Sequence, residues 1–599
     1  MMDTKSLSEL SRSLVDVAMG RKSADVVIRG GRWVCVQSGE IIPGISVAII
    51  GERIAFVGQD ASHTIGPDTR VIEADDRHIV PGLLDGHMHV ESGMITVGEF
   101  VRAVAPRGTT GMFIDPHEIA NVFGLDGVRL MADEAAVQPI HVWVQVPSCV
   151  PSAPGLETPG AAIGPDEVAE ALSWPGIIGL GEMMNFPGVF NSDEKMHLEM
   201  AETRAAGKVT GGHYASLDLG TPFHGYVAGG PEDDHEGTRL EDALARVRQG
   251  MKVMMRLGSA WHDVASQVRA VTEEGLDPRH FLLVTDDSHS GTLVRDGHMD
   301  RVVRHAIEQG LEPITAIQMA TLNTAEHFGL AGDIGQIAPG RYADILLVGE
   351  LESFDAEMVF ARGRLIAEDG KLLVDIPDFA YPPEVKASVR LGKELSAEDF
   401  SVDASKDGVF AVNVIGVVEN QAPTQHLKRE MKALGGAIAV NIEQDLAKVA
   451  LVERHQATGE VQVGFVHGFG FDRPCAIAST VAHDSHHMIV VGTDEADMAL
   501  AANQLAEVGG GQIVIREGKT VALVELPIAG LMSEERAEIV AKKAERVLDA
   551  FNECGCTLNN ANMQLSLLAL VVIPDLRISD KGLVDVNRFE VIPVVEGGE

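Results

Sequence analysis

Two hydrophobic patterns follow one another along the first part of the chain. Residues 5–20 have the spacing of an amphipathic helix, whereas residues 25–79 break into short β-type runs separated by glycine-containing turns. A similar β-type run returns at residues 342–348. The interval between these two segments has about 250 residues, the usual length of one (β/α)8 barrel.

Short apolar runs alternate with helical patterns inside that interval, which favours a parallel sheet. The strand candidates are 79–84, 110–115, 140–146, 177–182, 208–213, 226–229, 252–257 and 281–285. We therefore predict an α/β fold with a TIM-like (β/α)8 barrel at residues 80–330. A small β-sandwich is predicted from residues 25–79 and 331–380, and a helical extension from residues 1–24.

The pattern changes again after a group of prolines at residues 377–383. Beyond it, strand-like runs such as 409–418 and 488–491 alternate with helical patterns such as 494–508. Prolines so close together are typical of a linker. We predict a separate C-terminal domain of the α/β or α+β type at residues 390–599.

Charge and cysteine content exclude several functions. With 48 Lys+Arg against 88 Asp+Glu, the net charge is −40. Such a chain repels phosphate backbones and anionic lipid, so we expect neither nucleic acid nor membrane as a partner. Five cysteines do not make a disulfide framework in a chain of this length, and the N-terminus lacks the apolar core of a signal peptide. We therefore expect a cytoplasmic protein.

The first candidate for chemistry is the block Asp85-Gly86-His87-Met88-His89, which follows an apolar strand. Residues two apart on a strand point to the same side, so His87 and His89 present two imidazoles together. Such a pair can bind one divalent ion.

Further ligand-type residues lie at the ends of other predicted strands. They are Glu182, His213, His235 and Asp286. Taken singly, each is more often a helix cap or a loop hydrogen-bonding residue. Barrel active sites, however, collect at the C-terminal ends of strands, so the joint occurrence favours a metal site. Imidazoles and carboxylates without thiolates suit Zn, Mn or Fe, and a bridging carboxylate allows two ions.

This arrangement resembles the amidohydrolase superfamily over about residues 25–375, with Glu182 where many members have a carbamylated lysine. Longer blocks resemble the bacterial adenine deaminase family, and the resemblance extends over nearly the whole chain. The blocks are DGHMHVES at 85–92, DPHEIANV at 115–122, HDSHH at 483–487 and ELPIAGLMS at 525–533.

The resemblance implies a reaction and a metal set. The reaction is the hydrolytic deamination of adenine to hypoxanthine and ammonia by a metal-bound hydroxide, in purine salvage. The cofactors implied are two divalent metal ions, Mn or Fe, with Zn as an alternative. One ion is expected on His87, His89, Glu182 and Asp286, and the other on Glu182, His213 and His235.

Three residues are predicted to be catalytic: Asp286, Glu118 and His117. Asp286 is expected to carry a proton from the hydroxide to the leaving amine. Related deaminases protonate the ring with a glutamate at a position that is Ser216 here, so Glu118 is the substitute, with helix capping as its alternative role. His117 and Asp115 are expected to orient Glu118 or to bind a further metal. Asp115, Asp287 and His483 are candidates to hold the metal ligands in place or to contact the substrate.

Two other interpretations remain open. The scaffold is also compatible with a cyclic-amide hydrolase or an N-acetyl-sugar deacetylase. A non-catalytic scaffold protein is the second alternative, although such proteins usually lose metal ligands. A homo-oligomer, most simply a dimer, is the expected assembly.

Overall fold

The first β segment packs against an N-terminal helix. The structure, a computed structural model, describes residues 7–404 and 406–596. Helix α1 (Leu7–Ala18) buries Leu14 and Val17 against this segment. The strands that follow are β1 (Val26–Cys35), β2 (Glu40–Ile50), β3 (Arg53–Gly58), β4 (Arg70–Glu73) and β5 (His78–Pro81).

Parallel strands then form a TIM-like barrel. They are β6 (Leu83–His89), β7 (Thr109–Ile114), β8 (His141–Val146), β9 (Ile177–Met183), β10 (Val209–Gly212), β11 (Asp233–Asp234), β12 (Lys252–Arg256), β13 (Phe281–Val284) and β14 (Asp286–Asp287). Strands β6 to β10 pair in chain order, and β11 to β13 form a separate piece. The two-residue β14 pairs with β6, so the end of the barrel sequence returns to its beginning.

Helices surround these strands. They are α2 (Val97–Val104), α3 (His117–Phe123), α4 (Leu125–Ala135), α5 (Pro165–Leu172), α6 (Phe186–Phe190), α7 (Glu194–Ala205), α8 (Thr221–Gly229), α9 (Leu240–Arg248), α10 (Val264–Gln267), α11 (Arg269–Thr272), α12 (Ser290–Arg295), α13 (Met299–Glu308), α14 (Pro313–Met319) and α15 (Leu322–His327). Short 3-10 helices lie at Ser62–Thr64, Glu91–Gly93, Ala105–Arg107, Pro278–His280, Pro383–Ala387, Ala397–Phe400 and Ile442–Gln444.

The predicted sixth strand at 226–229 is wrong, because these residues belong to helix α8. Phe223 and Tyr226, three residues apart, are the buried positions of α8, which is a helical spacing. The strand at this place is β11, whose two aspartates are buried. They are paired, Asp233 with His327 at 2.6 Å and Asp234 with Arg246 at 3.0 Å. The prediction missed β11 because its two residues are aspartates, each paired with a basic side chain, and a search for hydrophobic runs does not detect such a strand.

The predicted first strand at 79–84 is also divided. Gly82 separates β5, in the outer sheet, from β6, in the barrel. A Cβ at Gly82 would lie 2.0 Å from Thr110 Oγ1, so only glycine fits this close crossing between the two sheets.

The chain returns to the outer sheet after the barrel through β15 (Ile345–Val348), β16 (Ala356–Ala361), β17 (Arg364–Glu368) and β18 (Lys371–Leu372). Strand β15 pairs antiparallel with β5. Within the described residues, the segments before and after the barrel therefore share one nine-stranded sheet. Its division into a two-layered sandwich stays a prediction.

A second nine-stranded sheet and its helices form the C-terminal part. The strands are β19 (Gly408–Gly416), β20 (Gln425–Leu434), β21 (Ala437–Ile438), β22 (Leu446–Val452), β23 (Val461–His467), β24 (Ala476–Ser479), β25 (Met488–Gly492), β26 (Gly511–Arg516) and β27 (Lys519–Glu525). The helices are α16 (Glu495–Glu507), α17 (Ala537–Glu553) and α18 (Ala561–Leu567), and a small sheet contains β28 (Leu576–Ser579), β29 (Gly582–Asp585) and β30 (Glu590–Ile592).

This C-terminal part lies against the barrel on the side where the strands end. The Thr158 N–H donates to Asp580 at 2.8 Å, and His487 Nε2 donates to the Thr158 carbonyl at 2.8 Å. Ile95 and Ser533 form a β-bridge between the two parts. Among the helices of the described residues, none combines the length and apolar character needed to cross a bilayer.

Candidate metal centre and substrate cavity

His87 and His89 lie at the end of β6, and each is 3% exposed. His89 Nδ1 donates to the Asp115 carbonyl at 2.8 Å, which leaves Nε2 with its lone pair. That Nε2 lies 3.3 Å from Asp286 Oδ1 and 3.8 Å from Glu182 Oε1. His89 is therefore oriented from behind, and its free nitrogen faces two carboxylates.

Glu182, at the end of β9, lies between the remaining histidines. Its Oε2 accepts from His213 Nδ1 and lies 3.1 Å from His235 Nε2. Its Oε1 is 3.4 Å from His117 Nδ1. The His87 and His235 rings stack with their centroids 4.0 Å apart. Glu182 thus offers one oxygen to each side of the cluster, as a bridging ligand must.

Asp286 occupies a backbone conformation that is uncommon for its residue type, with φ of 60°. Its Oδ1 faces His89, while its Oδ2 accepts from Arg256 Nη1 at 2.9 Å. Burial acts to raise the pKa of Asp286, but the neighbouring His89 and the charge of Arg256 outweigh it and hold the pKa far below its ordinary value. Asp286 is therefore kept as a carboxylate at neutral pH.

The structure brings all six predicted metal ligands together. The ligand atoms of His87, His89 and Asp286 lie within 4.8 Å of one another, as do those of His87, Glu182 and His235. Among the described residues, no protein group forms a hydrogen bond with His87 Nε2, although this atom is buried. A buried nitrogen without a partner, facing carboxylates, fits a divalent cation.

The remaining predicted residues surround this cluster. Asp115 lies behind it, and its Oδ2 accepts from the Glu182 N–H at 2.8 Å. Asp287 accepts from the Ser92 hydroxyl. His117 and His483 form a further group with Asp484, whose ligand atoms also lie within 4.8 Å of one another.

Glu118 lies at the start of α3 with an exposure of 2%. Its Oε2 is 3.7 Å from His117 Nδ1 and 3.9 Å from His89 Nδ1. Within the described ranges, neither of its carboxyl oxygens has a hydrogen-bond partner, so no backbone N–H is capped by this side chain. Burial, together with the neighbouring charge of Glu91, raises the pKa of Glu118 well above its ordinary value.

A cavity of about 390 Å³ opens over the cluster. The barrel supplies one side, including His89, Glu182, His235 and Asp286. The C-terminal part supplies another side, which we call the C-terminal wall. Its residues are Asn420, Gln421, Ala422, Pro423, Met563, Leu567, Leu570 and Ile573.

Arg577 holds the C-terminal wall together from behind. This side chain is 0% exposed. Its guanidinium donates to the carbonyls of Leu567 at 2.6 Å, Ile573 at 2.8 Å and Ala422 at 2.5 Å. These carbonyls belong to two separate segments of the wall. One buried cation therefore sets the distance between those segments.

Sequence reasoning missed Arg256, Asp484 and Arg577 as contributors to this site. Arg256 had a usable signal, because it ends the apolar strand β12 on the same rim as the predicted ligands. Asp484 lies inside the noted histidine block and accepts from the Ser152 hydroxyl of the barrel. The role of Arg577 could not be predicted from the sequence, since its partners are backbone carbonyls, one of them far away along the chain.

Comparison with known proteins agrees with this fold and this site. The model of the amidohydrolase family matches residues 78–366, which contain the barrel and the six clustered side chains. The class of protein is therefore an amidohydrolase.

The C-terminal part identifies the group more closely. The model described as the adenine deaminase C-terminal domain matches residues 421–590. The chain is 64% identical to adenine deaminase 3 of Rhizobium meliloti (strain 1021) over 98% of this chain and 99% of the relative. It is 50% identical to the adenine deaminase of Moorella thermoacetica over 99% of each. The chain belongs to the adenine deaminase family.

Metal content provides the first test of the cluster. Because Glu182 lies between both groups of ligands, we expect Glu182→Ala to lose all tightly bound divalent metal. His213→Ala should keep part of it, since His213 contacts only one side. Elemental analysis of protein produced with added manganese measures this. The exposed His224→Ala is the matched control, and a Glu182→Ala protein with parental metal content would contradict the arrangement.

The C-terminal wall gives the second test. Arg577→Met leaves several buried carbonyls without a donor, so we expect the wall to shift and the KM for the substrate to rise by about tenfold, equivalent to about 1.4 kcal/mol. Metal content should stay parental. Arg516→Met, which removes a surface arginine paired with Glu553, is the control. An unchanged KM in Arg577→Met would show that the wall does not contact the substrate.

Proposed function

We propose that this protein hydrolyses adenine to hypoxanthine and ammonia in purine salvage. The observation that carries the proposal is the buried Glu118, an acid without a hydrogen-bond partner among the described residues, beside a metal-type cluster that lines a cavity. Deamination of a purine requires such an acid, because the ring nitrogen must accept a proton. The names of the relatives point to the same substrate.

We assign two divalent ions, Mn or Fe with Zn as an alternative, to the cluster. His87, His89, Glu182 and Asp286 would hold one, and Glu182, His213 and His235 the other. A bound divalent ion supplies the nucleophile at neutral pH by lowering the pKa of its water to about 7. Two close groups of ligand atoms support this assignment, one of His87, His89 and Asp286 and the other of His87, Glu182 and His235.

Asp286 is the proposed carrier of the proton that the attacking water loses. Its Oδ1 faces the cluster, and its Oδ2 is held by Arg256, so the carboxylate cannot rotate freely. From this position it can accept a proton at Oδ1 and pass it to the leaving amine. Arg256 is itself fixed by Asp263 at 2.6 Å, which makes the pair rigid.

Glu118 is the proposed acid for the ring nitrogen. Its raised pKa favours the protonated carboxyl group, which a proton donor needs. His117 lies between Glu118 and Glu182 and is proposed to keep the two carboxyl groups apart. Burial lowers the pKa of His117 to about 4, so it is a neutral imidazole.

The cavity suits a flat, apolar ring with polar edges. Leu567, Leu570 and Ile573 of the C-terminal wall provide apolar contacts, while Gln421 provides a polar one. The contribution of the C-terminal part favours adenine over the substrates of a cyclic-amide hydrolase or an N-acetyl-sugar deacetylase. The complete ligand set argues against a non-catalytic scaffold. A cytoplasmic location and a homodimer are part of the proposal and rest on the sequence.

The reaction is tested directly by substrate. Protein loaded with manganese should release ammonia from adenine and form hypoxanthine, followed by ultraviolet absorbance and an ammonia assay. Metal removal by a chelator should abolish the activity, and manganese should restore it. Turnover of a cyclic amide or an N-acetylated sugar, with adenine inert, would replace the proposal by one of the alternatives.

The role of Glu118 is tested by Glu118→Gln, which keeps the shape but removes the transferable proton. We expect kcat for adenine to fall by about 10² or more, the typical contribution of general acid catalysis. Metal content should remain parental. The buried Glu199→Gln, on helix α7, controls for loss of a buried carboxyl group. Near-parental kcat would remove Glu118 from the mechanism, and loss of metal would make it a ligand.

A further inference from the structure

A second cavity adjoins the one that we assign to adenine. It has a volume of about 240 Å³ and lies between the barrel and the C-terminal part. Helix α12 and the residues after β6 line it from the barrel, while α17 and β26 line it from the other side. The two cavities share His483 and Met563 in their linings, and Glu118 lines the second cavity. The second cavity therefore meets the first at these two shared residues and contains the proposed catalytic acid.

The second cavity is lined by buried oxygen atoms that lack hydrogen-bond partners. These are Glu91 Oε2, both Glu118 carboxyl oxygens, Gln512 Oε1 and Ser290 Oγ, within residues 7–404 and 406–596. Gln512 is 6% exposed and Ser290 is 0% exposed. A buried acceptor without a donor costs about 1–3 kcal/mol, so several in one cavity indicate an occupant that donates hydrogen bonds.

The charged side chains that line the second cavity indicate whether its occupant is a cation or an anion. The lining contains one guanidinium, Arg295, and the carboxyl groups of Glu91, Glu118 and Glu545. Arg295 pairs with Glu545, and both are about half exposed. The inner end has no lysine or arginine among its lining residues and offers the unpartnered oxygens of Glu91, Gln512 and Ser290, so the lining suits a cation rather than an anion.

We propose that this second cavity binds the ammonium ion that the reaction releases, an inference that rests on the proposed function. As the water oxygen bonds to the ring carbon, the carbon–nitrogen bond breaks and the amine leaves as ammonia. Ammonia takes one proton from solvent at neutral pH and becomes ammonium. This ion is a small cation with four N–H donors, which matches a cavity of unpartnered acceptors.

The location gives the two products separate routes of release. Hypoxanthine, when formed, lies in the first cavity. The boundary at His483 and Met563 gives the small product a separate way out. Ammonium and hypoxanthine can then be bound at the same time, in different cavities.

Product inhibition of the manganese-loaded full chain tests this inference. Ammonium chloride should inhibit adenine deamination in a noncompetitive pattern, whereas tetramethylammonium chloride at equal ionic strength should not. Gln512→Leu removes an acceptor in the second cavity and should raise the ammonium inhibition constant by about tenfold, the effect of one hydrogen bond to a charged group. Its kcat/KM without added ammonium should stay close to the parent.

Gln504→Leu, on helix α16 outside both cavities, is the matched control and should keep the parental inhibition constant. If Gln512→Leu does not fold, Ser290→Ala makes the same test with a smaller change. Equal inhibition in all variants, competition with adenine, or no inhibition by ammonium would overturn the second site while deamination itself persists. Absence of deamination in the parent would instead overturn the proposed function.

Discussion

The arrangement of the centre depends on Asp115, the residue directly after β7. Its carbonyl accepts from His89 Nδ1, and its carboxylate accepts from the Glu182 N–H, so one residue ties together the ends of three barrel strands. Gly181 permits this contact, because a Cβ there would lie 2.1 Å from Asp115 Oδ2. Without this link, His89 would be free to rotate and Glu182 to move along its strand.

The cluster also requires the barrel to close. Strand β14 pairs Asp286 with Met88 and Asp287 with His89, and this short parallel pairing brings the end of the eighth strand to the histidines of the first. Asp286 adopts its left-handed conformation at that junction. Such a backbone persists only where its surroundings determine it, here the pairing with β6 and the hydrogen bond from Arg256.

Site residues could be predicted from the sequence wherever a rule about neighbouring residues or strand ends applied. Alternation on one strand placed His87 and His89 on the same side, and the rule that barrel sites lie at strand ends selected Glu182 and Asp286. The prediction failed at β11, because paired aspartates replace the apolar residues of a strand. The sequence did not predict the C-terminal wall. Arg577 contacts the carbonyls of Ala422 and Leu567, and no regular spacing in the sequence links these three residues.

The barrel and the C-terminal part contribute different kinds of side chain to one cavity. The barrel concentrates carboxylates and imidazoles, which interact strongly only where water is excluded. The C-terminal wall excludes it with apolar side chains, and it remains in place because the buried Arg577 finds carbonyl partners instead of a counter-ion. A charged residue in the wall would compete with the ligand cluster for the substrate. A cation satisfied by backbone carbonyls fixes the wall and leaves its inner face uncharged, so the titratable groups at the cavity are those of the barrel together with His483 and Asp484.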